Sequence, residues 1–136
     1  MERVFADTAY WVALLVPRDQ LYHKAIAASS ELKQSRIVTS EMVLTEVLNR
    51  FSDSDSHLRQ AAAKFVESLY QSPGAKVVPQ TSQLFARALR RYQTMADKRW
   101  SFTDCASFII MEDEGLTKAL TEDRHFVQAG FQALLG

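Results

Sequence analysis

The sequence has one cysteine, Cys105, which excludes both an internal disulfide and a thiolate zinc site. A lone thiol suits a reducing compartment, and a cytoplasmic location is expected. There is no excess charge of either sign: lysine plus arginine and aspartate plus glutamate number 16 each. Bulk charge therefore says nothing about a partner, and a polyanion would have to be held by a local patch. No apolar run approaches the roughly 20 residues of a membrane span. The N-terminal apolar stretch, Trp11–Val16, is short and preceded by Asp7, so neither a membrane segment nor a secretory signal is expected. With only three prolines and four glycines, the chain offers no linker, and it shows no repeat or low-complexity tract.

What is present is core-forming material. Apolar residues make up 47% of 136, enough for a single domain over 1–136 and too much for disorder. Residues 3–6 read as a buried strand, and a helix follows from Thr8 to Val16, stopped by Pro17. A helix over 22–33 offers Leu21, Ala25, Ile26 and Leu32 to the core. Ile37–Thr39 is a second strand, and Ser40 caps a helix reaching Phe51 with Leu44, Val47, Leu48 and Phe51 as its stripe. After a polar turn at 52–56, a helix carrying Leu58, Ala62, Phe65, Val66 and Leu69 stops at Ser72-Pro73-Gly74. Lys76–Val78 is a third strand. A helix over 81–93 should turn Leu84, Phe85, Ala88, Leu89 and Tyr92 inward and Arg87, Arg90 and Arg91 outward. An apolar helix over 103–114 is closed by Gly115. Leu116–Thr121 holds a fourth strand, Phe126-Val127 a short helix, and Phe131–Leu135 a fifth strand. Strands alternating with helices imply an α/β fold: three α/β/α layers around a parallel sheet of four to five strands.

Four acidic residues then stand out. In such sheets ligands bind beyond the carboxyl ends of the strands, at the switch point of strand order. Asp7 and Asp123 both follow strands on that edge, Asp104 opens the apolar helix, and Glu46 lies in the helix after the second strand. Gathered together they would form a carboxylate cluster without a built-in positive partner, which is costly unless a divalent cation neutralises it. Singly, each has an ordinary explanation. Asp104 fits a Ser-x-x-Asp capping box with Ser101, and Asp123 can start the next helix. Glu46 can pair with Arg50 one turn on. Asp7, at the end of a buried strand, is either a cap or a ligand.

The order of these segments resembles the PIN-domain nucleases, and among them the VapC-type toxin ribonucleases of type II toxin–antitoxin systems. The matching stretches are Val4–Trp11, Thr39–Val47, Ser101–Cys105 and Ala119–Phe126, which together cover nearly the whole chain in order. The resemblance puts the family's acidic quartet on Asp7, Glu46, Asp104 and Asp123, and its hydroxyl neighbours on Thr8 and Thr103. Glu122 stands where the family is often apolar. The resemblance implies a Mg²⁺- or Mn²⁺-dependent endoribonuclease, with Asp7 and Asp104 as the most direct ligands. It also implies a homodimer and a small antitoxin that directs a basic residue into the pocket, docked near residues 9–16 and 41–70. Related alternatives are an RNA-processing nuclease without antitoxin and a silent interaction module of the same fold. A receiver-type phosphoacceptor domain would want an acidic dipeptide after the first strand and an acceptor aspartate after the third, and Val77-Val78-Pro79 supplies none.

RNA needs positive charge around an acidic pocket. Lys98 and Arg99 before Asp104, together with Arg50 and Arg124, are the candidates, followed by the Arg87, Arg90 and Arg91 face. Trp100 is expected to pack. His23, His57 and His125 show no metal-ligand spacing, and none is given a catalytic role. Glu112, Asp113 and Glu114 sit at a helix C-terminus, where the dipole disfavours them. Solvation or a basic partner would have to account for that run.

Overall fold

A computed structural model describes residues 2–136. Five strands form one all-parallel sheet: β1 (Arg3–Ala6), β2 (Arg36–Ser40), β3 (Ala75–Val78), β4 (Lys118–Leu120) and β5 (Gln132–Ala133). Their spatial order is β3-β2-β1-β4-β5. The helices are α1 (Thr8–Leu15), α2 (Tyr22–Glu31), α3 (Glu41–Arg50), α4 (Ser56–Gln71), α5 (Ser82–Thr94), α6 (Phe102–Glu114) and α7 (Arg124–Gln128). The chain walks outward from β1 to β3, then returns through α5 and α6 to β4 on the other side of β1. Right-handed crossovers that reverse direction place their helices on opposite faces of the sheet. The switch point therefore lies between the carboxyl ends of β1 and β4, where Phe5 pairs with Ala119 and Ala6 with Leu120.

Local chemistry fixes the helix starts. Ser40, Asp55, Thr81 and Ser101 each accept a backbone N–H three residues on, at 2.9–3.1 Å. At α6 the box is reciprocal, because the Asp104 carboxylate also accepts from the Ser101 N–H. Gly115 ends α6 at φ 69°, a conformation that costs glycine nothing. Thr103 through Met111 are all buried, so α6 is an interior helix. Phe108 joins it to its surroundings through edge-on contacts with Trp100 and Phe126, both at 4.9 Å between ring centres.

Three expectations are corrected. The fourth strand is shorter than Leu116–Thr121, since Thr121 already turns back and donates its N–H to Ala119 O. On α5 only Leu84 and Ala88 are buried, whereas Phe85, Leu89 and Tyr92 are 49%, 42% and 49% exposed. The two stripes lie one residue apart, about 100° around the helix, and only the Leu84–Ala88 stripe is buried. Ile26 and Leu48, also expected in the core, are exposed as well.

Candidate active site

The four acidic residues reach one cleft of about 570 Å³ from four separate elements. Asp7 caps α1 directly after β1, yet its carboxylate makes no capping bond with that helix. Its Oδ2 instead accepts from the Thr121 hydroxyl at 3.0 Å, across the switch point. The same hydroxyl oxygen accepts the Asp123 N–H at 3.0 Å. Asp123 caps α7, with Oδ1 accepting from the His125 N–H at 2.9 Å. Glu46 reaches over from α3, and its Oε1 accepts from the Thr8 hydroxyl at 2.7 Å. The ordinary reading of Glu46, an ion pair with Arg50, is therefore not what forms. Asp104 Oδ2 accepts from Ser101 N–H and lies 3.0 Å from His125 Nδ1.

One regularity runs through these bonds. Each carboxylate has one oxygen engaged by side-chain or backbone N–H and O–H groups: Oδ2 of Asp7, Oε1 of Glu46, Oδ2 of Asp104 and Oδ1 of Asp123. Among the described residues the second oxygen of each makes no hydrogen bond and meets no lysine or arginine. Burial pushes the Asp7 carboxyl up to about 7, opposed by the nearby Thr8 backbone N–H and the Thr121 hydroxyl, and the charges of Asp104 and Glu46 add to the rise. Asp104 is raised for the same first reason, desolvation, with hydrogen bonds from Ser101 and His125 opposing it. Both shifts reflect first the burial of a carboxylate, and the acidic neighbours add to it. Hard carboxylate oxygens at such a site fit a divalent cation such as Mg²⁺ or Mn²⁺.

Thr8, Arg50 and Arg99 also line the cleft. Thr103 does not; it is buried in α6. Lys98 and Arg124 are exposed outside the cleft lining. Trp100 packs as expected, 7% exposed, with its indole N–H donating to Gln128 Oε1. Arg87 and Arg91 are not free for a polyanion. Arg87 holds Asp113 through two bonds of 2.6 and 3.0 Å, and Arg91 holds Glu112 through bonds of 3.1 and 2.9 Å. Glu114 takes Lys76 and Arg3. The acidic run at the end of α6 thus finds its basic partners within the chain.

Three residues escaped the sequence reading of the site: Thr121, Ser101 in its contact with the cleft, and above all His125. One ligand atom each from Asp104, Asp123 and His125 lies within 4.8 Å of the others, close enough to share an ion. His125 stands two residues after Asp123, and the Asx-type turn at the α7 cap is what aims its ring back at Asp104. That turn was the only available signal.

The same architecture occurs in known proteins. The curated 23S rRNA-specific endonuclease VapC20 of Mycobacterium tuberculosis is 27% identical over 128 residues, covering 94% of this chain and 95% of its own. The crystal structure of M. tuberculosis VapC20, described as a sarcin–ricin loop cleaving toxin, superposes with a TM-score of 0.80 at 26% identity over 94% of this chain and 95% of that one. FitAcB from Neisseria gonorrhoeae shares the fold at a TM-score of 0.71, with 16% identity and 96% and 95% coverage. A family model described as PIN domain matches residues 4–132, from the first strand to the last, and on that match this chain belongs to the PIN domain family.

Proposed function

We propose that the protein is a divalent-metal-dependent endoribonuclease and the toxin of a toxin–antitoxin pair, hydrolysing RNA phosphodiester bonds. The observation that carries this reading is the pattern of one tethered and one free oxygen on each of Asp7, Glu46, Asp104 and Asp123. Tethering fixes the direction of each carboxylate, and the free oxygens are left for an ion. Bound Mg²⁺ or Mn²⁺ would supply charge neutralisation at the scissile phosphate and acidify an attacking water. Asp7 and Asp104 are the residues we assign to direct contact with the ion. Glu46 and Asp123 complete the shell, directly or through water. Thr8 and Thr121 act as positioning residues that keep Glu46 and Asp7 in place. His125 Nδ1–H holds Asp104 Oδ2 and so leaves Oδ1 toward the ion.

Arg50 and Arg99 give the rim the positive charge that RNA phosphates require. The similarity to VapC20, named as an rRNA endonuclease and toxin, supports RNA as the substrate class and a small antitoxin as partner. A homodimer is the assembly we expect with it. The test is cleavage of a defined RNA with Mg²⁺ or Mn²⁺, with EDTA and Asp7→Asn as controls. Activity that persists undiminished in either control overturns the mechanism.

A further inference from the structure

Beside the acidic cleft lies a second one, of about 460 Å³, lined by Tyr92, Met95, Arg99, Trp100, Ser101 and Phe102. The two clefts share Arg99 and Ser101, so they meet along one wall. We propose that this second cleft is a subsite for one unpaired nucleobase of the RNA. Tyr92 is its stacking face, Phe102 is part of its wall, and Arg99 clamps the phosphate between that base and the carboxylates. The proposal rests on the nuclease reading above and deepens it.

Three observations converge on it. First, the end of α5 exposes an aromatic ring where an amphipathic helix should hide one. Tyr92 is 49% exposed, with its ring centre 6.0 Å from that of Phe102 and nearly perpendicular to it at 66°. Phe102 also packs on Phe85, at 4.8 Å between ring centres, so the half-exposed Tyr92 is the lining ring that offers an open face. Bases stack on such faces with little regard to sequence. Trp100 cannot serve, since it is buried edge-on against Phe108 and its indole N–H is bonded to Gln128.

Second, the positive charge here is available. Arg87 and Arg91, on the same helix, are neutralised by Asp113 and Glu112, whereas Arg99 makes no ion pair among the described residues. An unpaired guanidinium between an aromatic face and an acidic centre matches the alternation of base and phosphate along a single strand.

Third, Arg99 is the only non-glycine among the described residues with positive φ, at 59°. An arginine there bears a backbone penalty that a glycine would not. Retaining a long cationic side chain in that conformation, on the wall between the two clefts, argues that the side chain is used.

The test uses the full-length protein in an Asp7→Asn background, so that the probe stays intact. The probe is a short single-stranded RNA carrying one 2-aminopurine, whose fluorescence is quenched on stacking, with Mg²⁺ present. Binding by the parent should quench it. Adding Tyr92→Leu should weaken binding about tenfold and abolish the quench, while Tyr92→Phe should keep both. Adding Arg99→Gly should weaken binding by a similar factor without lowering the melting temperature, because the substitution relieves the backbone. Wild-type cleavage together with binding and quench untouched by Tyr92→Leu and Arg99→Gly would leave the nuclease reading standing and overturn the subsite. If the wild type neither cleaves nor the parent binds RNA, the underlying reading fails and the subsite with it. If Tyr92→Leu instead turns a dimer into a monomer by light scattering, the face belongs to a second copy, and the subsite is overturned.

Discussion

The Thr121 hydroxyl donates to Asp7 Oδ2 at 3.0 Å and so ties the loop after β4 to the end of β1, two segments separated by most of the chain. The same oxygen accepts the Asp123 N–H, so one hydroxyl fixes both the Asp7 carboxylate and the backbone that carries Asp123. Thr121→Val keeps the shape but removes both bonds. We expect RNA cleavage to fall about 10- to 100-fold, the usual cost of losing a group that orients a metal ligand. The apparent Mn²⁺ requirement should rise in parallel. Steady-state cleavage at several Mn²⁺ concentrations checks this, and an unchanged metal dependence would remove Thr121 from the site.

Stability without metal should depend on pH in a direction set by Asp7. Its folded carboxyl titrates at about 7, above the ordinary 3.8. The folded state therefore binds this proton more tightly than the unfolded chain does. Its stabilising effect is full below about pH 4, declines as pH rises, and is gone above about pH 7. The shift corresponds to about 4 kcal/mol at most, at 1.36 kcal/mol per unit. Asp104 is raised too and acts in the same direction. In EDTA, denaturant melts between pH 5 and 8 should show the wild type losing stability as pH rises. Asp7→Asn should flatten that slope and be the more stable protein at pH 8.

The same strain predicts a large response to metal. Millimolar Mg²⁺ or Mn²⁺ at pH 8 should raise the melting temperature of the wild type, with about 2.7 kcal/mol of stabilisation at a hundredfold excess over Kd. Asp7→Asn should respond much less. A melt indifferent to both ions would count against a metal centre.

His125 should matter as well. Its Nδ1 lies 3.0 Å from Asp104 Oδ2 and 3.4 Å from Asp123 Oδ1. His125→Gln should reduce cleavage by about tenfold or more with little change in the melt, because the ring lies at the cleft and not in the core. Equal activity in the variant would restrict His125 to packing.

Arg87→Ala and Arg91→Ala provide the contrast. Both arginines are held by acids at the end of α6, in pairs that are partly solvent-exposed. Each should cost no more than about 1 kcal/mol and leave RNA affinity unchanged, unlike Arg99→Ala. A double-mutant cycle with Asp113→Ala isolates the coupling.

Much of this was legible in the chain. Period and caps located the strands and helices, and the placement of Asp7 and Asp123 after strands pointed to the switch point. Other features were not legible, for reasons that can be named. The pairing of Arg87 with Asp113 and of Arg91 with Glu112 depends on how α5 lies against α6, which no local pattern encodes. The exposed Phe85–Leu89–Tyr92 stripe sits one residue from the buried one, closer than hydrophobic periodicity can separate. His125 was passed over because its reach to Asp104 comes from a turn at Asp123 rather than from ligand spacing along the sequence. Thr103, expected near the acidic cluster, is buried in α6 outside the cleft lining, whereas Thr121 lines the cleft.

The strand order has a consequence for synthesis. β4, which carries the chain to Thr121 and Asp123, docks beside β1 only after everything between them has been made. A ribosome-bound chain lacking β4 holds Asp7, Glu46 and Asp104 without Asp123, and its Asp7 has no Thr121 hydroxyl to fix it. The proposed nuclease would thus stay incomplete until β4 has been made and has docked beside β1.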